Sequence, residues 1–176
     1  MIKNGIGGGS TITGLNFEKE TDILTLLATK KHYKVVDNII YYKDKEVAKN
    51  FKKNALYKFL ETQGVDYKKI FSKKLLPDDA IYVIINNTLF IIEVKFQNVA
   101  GSVDEKLQTC DFKRKQYAKL LAPLNIEVEY IYILSDWFRK PEYKDVCDYI
   151  ISVGCQYYFK YLPLQKLGLP VPGEEL

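Results

Sequence analysis

The feature that most constrains this chain is a pair of apolar segments, residues 80–85 and 88–97, on either side of Asn86 and Asn87. Asparagine tolerates the positive φ that a tight turn requires, so the pattern predicts a β-hairpin with a two-residue turn. Both faces of the second segment are apolar as far as Glu93. This is typical of a central strand that is covered on both sides and becomes polar at its carboxyl end.

Helical and extended patterns surround the hairpin. Apolar spacing predicts a helix beginning near Phe17 and further helices over 45–62, 102–121 and 142–153, the third opened by a capping box at Ser102 and Glu105. Residues 34–42 predict a strand pair or one bent strand, 128–134 a further strand, and 157–161 an edge strand. The chain is therefore expected to form one α/β domain over 1–176, with a mixed β-sheet flanked by helices.

Composition excludes several classes of protein. No apolar run approaches the ~20 residues that cross a bilayer, and the first residues lack the apolar core of a secretory leader, so we expect a cytoplasmic protein without membrane association. Three cysteines without a CxxC pair and a single histidine argue against zinc. Any metal would then have oxygen ligands, as Mg²⁺ and Mn²⁺ do. The glycine-rich residues 5–14 lack the ending of a P-loop, so no nucleotide cofactor is expected.

Positive charge is concentrated in residues 43–74. This segment has ten lysines and four acidic residues, in a chain whose net charge is +4. A basic face of this kind suits the phosphate backbone of a nucleic acid. A solvated, lysine-rich surface explains the same pattern equally well.

Two carboxylates and an ammonium are predicted to meet at the end of the hairpin. Glu93 and Lys95 are two residues apart on a strand and therefore share a face. With a two-residue turn, Asp78 lies opposite Lys95 on that face and Asp79 points away; a three-residue turn or a bulge would reverse that choice. Two carboxylates can hold a hard cation, and the ammonium can stabilise developing negative charge. A cross-strand salt bridge is the structural alternative.

Several motifs together resemble a group of PD-(D/E)XK type II restriction endonucleases. They are LLPDD at 75–79, FIIEVKFQ at 90–97 and GSVDEKLQT at 101–109, with the opening glycine-rich loop leading to 13–18 and SDWF at 135–138. The resemblance covers most of the chain, and its central stretch is the specific part. It implies a restriction-endonuclease-like core and Mg²⁺-dependent cleavage of double-stranded DNA, for which Mn²⁺ can substitute. A homodimer would supply two sites for two strands.

The resemblance also implies roles for individual residues. Asp78 and Glu93 match the metal ligands, the main-chain carbonyl of Val94 matches a further ligand, and Lys95 matches the residue beside the attacking water. Glu18, expected on the first helix, matches a position where related nucleases often carry an extra acidic residue. An acidic residue there also suits a helix N-terminus.

Further candidates for DNA contact lie around this centre: Gln97, Lys113, Arg114, Lys115 and Arg139. Arginine can read guanine through a bidentate fork. Each candidate also has a structural explanation. Strand-end polarity explains Gln97, a solvated helix face explains the three basic residues at 113–115, and the aromatic residues before Arg139 suit packing against the body of the protein.

Two other functions are compatible with the same residues. One is a repair, recombination or phage nuclease that recognises DNA shape. The other is a catalytically silent DNA-binding module that keeps the fold. The intact set of Asp78, Glu93 and Lys95 favours a nuclease over the silent module.

Overall fold

A computed structural model describes residues 14–18, 22–98 and 103–173. The strands are β1 (Gly14–Asn16), β2 (Tyr33–Val36), β3 (Ile39–Tyr42), β4 (Lys45–Asn50), β5 (Asp79–Val83), β6 (Thr88–Lys95), β7 (Glu127–Leu134), β8 (Gln156–Phe159) and β9 (Tyr161–Pro163). The helices are α1 (Ile23–Ala28), α2 (Ala55–Thr62), α3 (Val103–Leu107), α4 (Cys110–Leu121) and α5 (Lys144–Ser152). Single 3₁₀ turns cover Tyr67–Lys69, Ala122–Leu124, Asp136–Arg139, Pro141–Tyr143 and Leu164–Leu167.

The central element is a seven-stranded mixed sheet in the order β2-β3-β4-β5-β6-β7-β8. Neighbours from β2 to β6 are antiparallel, whereas β6, β7 and β8 are parallel. Strands β1 and β9 form a separate antiparallel pair. The prediction of an α/β fold with a mixed sheet flanked by helices is therefore confirmed.

Each face of the sheet packs against its own layer. Helices α2, α4 and α5 cover one face through residues such as Leu56, Tyr117 and Ile150. Helix α1, the β1-β9 pair and the segment after β9 cover the other. Strand β6 lies between them, so that Ile91 faces the first layer and Ile92 the second. The prediction of a central strand buried on both sides is confirmed.

The turn of the hairpin is longer than predicted. Residues 84–87 all belong to it, and Ala80 pairs with Ile91, so a two-residue turn is wrong. Ile85 leaves the sheet and is 60% exposed. Asn87 has a φ of 51° and donates from its side chain to the carbonyl oxygen of Asn125 at 2.8 Å. Two additional turn residues shift the register by two positions, which leaves the face of every residue in β5 unchanged.

The predicted helix over 45–62 is also wrong, because its first part is strand β4. This strand pairs with β3 and β5, and a turn with positive φ at Lys43 and Asp44 introduces it. The Asn50 side chain accepts a hydrogen bond from the Lys52 N–H at 3.0 Å, in the turn that separates β4 from α2. Apolar residues at 47, 51 and 55 happen to match helical spacing, but pairing on both edges of β4 decides the structure.

Other boundaries change for local reasons. The helix expected over 102–121 is two helices, α3 and α4, separated by a turn at residues 108–109, and the predicted cap at Ser102 lies outside the described residues. The first helix begins at Ile23 rather than near Phe17, because Asp22 caps it by accepting from the Leu24 N–H at 2.8 Å. Residues 34–42 fall in the strand pair β2-β3. In the ranges that the structure describes, no helix is long and apolar enough to span a membrane.

Candidate active site

The β5-β6 hairpin brings Asp78, Glu93 and Lys95 together. The Lys95 Nζ lies 3.1 Å from Glu93 Oε2 and 3.5 Å from Asp78 Oδ2. The Glu93 side chain is 8% exposed and the Asp78 side chain is 65% exposed, so the cluster runs from the core to the surface. Asp78 immediately precedes β5. Because Asp79 pairs with Ile92, Asp78 comes next to Glu93 and shares its face of the sheet.

Glu93 is held by three donors. Its Oε1 accepts hydrogen bonds from the Lys113 Nζ at 2.7 Å and from the Tyr130 hydroxyl, while its Oε2 contacts Lys95. Burial by itself raises the pKa of Glu93, but Lys95, Lys113 and Tyr130 stabilise the carboxylate and hold its pKa below the usual value. Glu93 is therefore ionised at neutral pH and able to ligate a cation.

Lys95 carries a full charge in this environment. Burial lowers the pKa of Lys95, but the carboxylates of Glu93 and Asp78 outweigh burial and raise it above the usual value. In the absence of metal Lys95 is therefore a charged hydrogen-bond donor, which suits electrostatic stabilisation.

A layer of tyrosines lies next to these residues. Tyr130 and Tyr132 follow each other along one face of β7, with ring centroids 5.4 Å apart. Burial, reinforced by the charge of Glu93, raises the pKa of both hydroxyls, which therefore stay protonated as donors. Sequence reasoning missed Tyr130. Its place on the strand next to β6, on the same face as Glu93, is the signal that could have found it.

Asp79 lies on the opposite face from this cluster. It pairs with Ile92 and is 5% exposed, and the Asn50 amide donates to its Oδ1 at 3.3 Å. Burial raises the pKa of Asp79, while Asn50 and Lys52 oppose that rise. Asp79 therefore contributes to the packing between β4 and β5 rather than to the carboxylate pair.

Glu18 was predicted to lie on the first helix, but it lies between β1 and α1. It lines a pocket of about 420 Å³ with Phe96, Asn98 and Trp137 among others, and Asp78, Glu93 and Lys95 do not line that pocket. Val94 stands between Glu93 and Lys95 on β6, and its side chain packs toward the opposite layer.

Among the predicted DNA contacts, Lys113 lies in the cluster, beside Glu93. Its neighbours on α4 point elsewhere: the Arg114 guanidinium packs over Gly154, and Lys115 forms an exposed ion pair with Asp111 at 2.7 Å. A helix turns by about 100° per residue, so consecutive basic residues cannot share one face.

The other two predicted contacts are engaged within the protein. Arg139 forms an ion pair with Asp136 at 2.8 Å, and its guanidinium lies 4.0 Å from the ring centroid of Phe159. Gln97 is buried, and its backbone N–H donates to the Ser135 hydroxyl at 3.1 Å.

The donor set fits a hard cation completed by water and substrate. Over the described residues, no group of three or more His, Cys, Asp and Glu side chains is arranged to hold a metal. Mg²⁺ commonly uses one or two protein carboxylates and takes waters and phosphate oxygens for the rest. Asp78 and Glu93 supply two carboxylates. The Asp78 side chain is largely exposed, and the Glu93 side chain is ionised at neutral pH.

No family model matches the chain, and no curated protein or solved structure shows significant similarity to it. What the site can do chemically therefore follows from the geometry and charges of Asp78, Glu93, Lys95, Lys113 and Tyr130.

Proposed function

We propose that this chain is a Mg²⁺-dependent endonuclease of the PD-(D/E)XK class, a type II restriction enzyme that cuts a short site in double-stranded DNA. The observation that carries the proposal is the ammonium of Lys95 between the carboxylates of Asp78 and Glu93. These residues belong to the Pro77-Asp78 and Glu93-Val94-Lys95 motifs, and the mixed sheet with flanking helices is compatible with a restriction-endonuclease-like core.

The residues of the chain suit phosphodiester hydrolysis. Asp78 and Glu93 would hold the metal, with the Val94 carbonyl as a further ligand. When bound, Mg²⁺ supplies Lewis-acid polarisation of the phosphate and lowers the pKa of a bound water. Lys95 can orient a water by donating to it and can stabilise negative charge that develops at the phosphate.

Basic residues near the site support DNA as the substrate. The Lys53 N–H donates to the Pro77 carbonyl oxygen at 3.2 Å, which places the turn containing Lys52 and Lys53 next to Asp78. Both lysines are exposed. Ammonium groups at this edge can neutralise backbone phosphates of a bound duplex.

The closed network of Glu93, Lys95, Lys113 and Tyr130 also favours a second candidate. Such a network could serve as a buried salt bridge, as in a catalytically silent DNA-binding module. Cleavage distinguishes the two candidates, because the silent module would bind DNA without cutting it.

The test is digestion of defined plasmid and phage DNA by the purified chain, with and without Mg²⁺. A restriction enzyme produces discrete fragments with Mg²⁺ and leaves the DNA intact in EDTA. A repair, recombination or phage nuclease gives cleavage without a short recurrent sequence at the ends. DNA binding without cleavage under any divalent metal would replace the proposal by the silent module.

A further inference from the structure

We propose that Lys113 couples metal binding to DNA binding, by neutralising Glu93 in the free protein and exchanging Glu93 for a DNA phosphate in the complex. This inference rests on the proposed nuclease function and assigns Lys113 a specific place in it. Lys113 is a positioning residue, because it acts through Glu93 and through the backbone phosphate.

Lys113 occupies a position from which it can make both contacts. Its Nζ lies 2.7 Å from Glu93 Oε1, and its side chain is 31% exposed while that of Glu93 is 8% exposed. It reaches the carboxylate from α4, whereas Lys95 reaches it from within β6. A long side chain anchored on the covering helix can turn toward solvent without disturbing the sheet.

The charges of the cluster balance in the absence of metal. Asp78 and Glu93 are offset by Lys95 and Lys113, each of which contacts a carboxylate. A divalent cation placed among these four groups leaves the site positively charged and repels both ammonium groups. A DNA phosphate brings negative charge to the same place and provides Lys113 with a new partner, so each ligand favours the other.

Tyr130 makes the exchange possible. Its hydroxyl donates to the same Glu93 oxygen that Lys113 contacts, so Glu93 keeps a donor after Lys113 departs. Removing the Lys113 charge should therefore not disorganise Glu93. It should instead remove a cation that competes with the metal.

The experiment compares Lys113→Met with Lys115→Met in the full chain. Lys115 is the matched control because Lys115→Met removes the same charge two residues along α4, where the exposed Lys115 side chain pairs with Asp111 instead of Glu93. Mn²⁺ binding to the free protein is measured by the electron paramagnetic resonance of unbound Mn²⁺. Affinity for a fluorescent mixed-sequence duplex is measured by anisotropy, with and without Ca²⁺.

We expect Lys113→Met to bind Mn²⁺ about tenfold more tightly than wild type, within the usual range of coupling between sites. Its DNA affinity without metal should fall, and the increase in DNA affinity caused by Ca²⁺ should shrink. Lys115→Met should match wild type in Mn²⁺ affinity and in the effect of Ca²⁺ on DNA binding. Lys113→Arg, which retains the charge, should retain the coupling and serves as the folded reference if Lys113→Met is unstable.

Two results would overturn the coupling role. One is Mn²⁺ affinity in Lys113→Met equal to or weaker than that of Lys115→Met. The other is an unchanged effect of Ca²⁺ on DNA binding. If wild type cuts DNA and either result is found, the coupling fails while the nuclease stands. If wild type does not cut DNA, the nuclease proposal fails, and Mn²⁺ binding still reports whether Lys113 opposes the metal.

Discussion

At the scale of single residues, Lys95 shows how a site can be prepared by its neighbours. Two carboxylates keep its ammonium charged in spite of burial. In the proposed nuclease, a fixed cation beside the scissile phosphate would lower the energy of a transition state that carries more negative charge than the ground state. The same contact in an inert protein would contribute to stability alone.

Replacement of Lys95 distinguishes these roles. We expect Lys95→Ala to reduce the rate of cleavage by about 10²-fold or more while DNA affinity changes little, since the interaction is strongest in the transition state. Single-turnover cleavage and anisotropy are the measurements. Lys49→Ala is the control, because Lys49 is also a strand lysine in an ion pair, with Glu46 at 3.2 Å. Normal cleavage by Lys95→Ala would make the ExK match accidental.

Asp78 and Asp79 are adjacent in sequence but lie on opposite faces of the sheet. We expect Asp78→Asn to abolish cleavage, because it removes a carboxylate of the pair, and Asp79→Asn to retain a measurable part of it. The comparison is made in the same single-turnover assay. The reverse ranking would place the chemistry on the face of Asn50 and contradict the assignment of Asp78.

Asp79 also predicts a dependence of stability on pH. Burial raises the pKa of Asp79 in the folded state, so its ionised form opposes folding at neutral pH. This cost is relieved as the pH falls through the folded pKa, and it vanishes below the unfolded value of about 3.9. Asp79→Asn should therefore be at least as stable as wild type at pH 7 in urea unfolding, and this relative benefit should diminish toward pH 4. A large loss of stability at pH 7 would mean that the carboxylate is needed by Asn50 and Lys52.

At the scale of elements, the turn after β4 and the helix α4 bring charged residues to the end of the hairpin. Both segments differ from the sequence-based prediction. Strand β4 replaces the first part of the helix expected over 45–62, and α4 begins after a break in the helix expected over 102–121. The break at 108–109 is local: the Thr109 hydroxyl donates to the Lys106 carbonyl oxygen at 2.7 Å. Lys113 reaches Glu93 from the helix that begins beyond it.

The lysine-rich segment gives a prediction at this scale. Neutralising Lys52, Lys53, Lys68 and Lys69 together should weaken binding to every DNA sequence and flatten its salt dependence, because each phosphate contact contributes to the slope of affinity against salt. Anisotropy at several salt concentrations measures both effects. An unchanged slope would identify these lysines as a solvated outer surface.

Two double variants test whether the position of the lysines determines the salt dependence of DNA binding. Lys52→Gln with Lys53→Gln alters the turn next to Pro77, and Lys43→Gln with Lys45→Gln alters the turn and first residue at the opposite end of β4. The two pairs are matched, because each contains one lysine with a positive φ: Lys53 at 53° and Lys43 at 47°. The first pair should reduce the salt slope more than the second. Equal effects would show that overall charge, rather than position, governs binding.

At the scale of the whole molecule, the proposed activity depends on an oxygen-ligated metal. Mg²⁺ or Mn²⁺ should support cleavage, EDTA should abolish it, and Ca²⁺ should permit binding without efficient cutting because its coordination is looser. Digestion of one DNA with each metal and with EDTA is the measurement. Full cleavage in EDTA would contradict a mechanism that uses Asp78 and Glu93 as metal ligands.

The resemblance to type II restriction endonucleases implies a homodimer, and this makes a separate prediction. A symmetric pair of sites cuts both strands at a site with two-fold symmetry. Light scattering after size exclusion, in the absence of DNA, should give twice the chain mass of 20.4 kDa. The ends of the DNA fragments should map to a palindromic sequence. A monomer that nicks one strand at a time would retain the chemistry and exclude this assembly.

Local patterns were sufficient for the central hairpin and for the grouping of Asp78, Glu93 and Lys95. Strand alternation has a period of two, so a register error of two residues in the turn did not alter which side chains share a face. The two-sided apolar character of β6 likewise predicted its burial in a sheet between two layers.

The tertiary structure alone decided which residues complete the cluster and which segments are strand rather than helix. Lys113 and Tyr130 reach Glu93 from α4 and β7, at sequence separations of 20 and 37 residues, and their contacts depend on how those elements pack. Strand β4 exists because β3 and β5 pair with both of its edges. Sequence determined what each segment could present on a face, and packing between distant segments decided which faces meet, because long-range contacts leave no periodic signal in the chain itself.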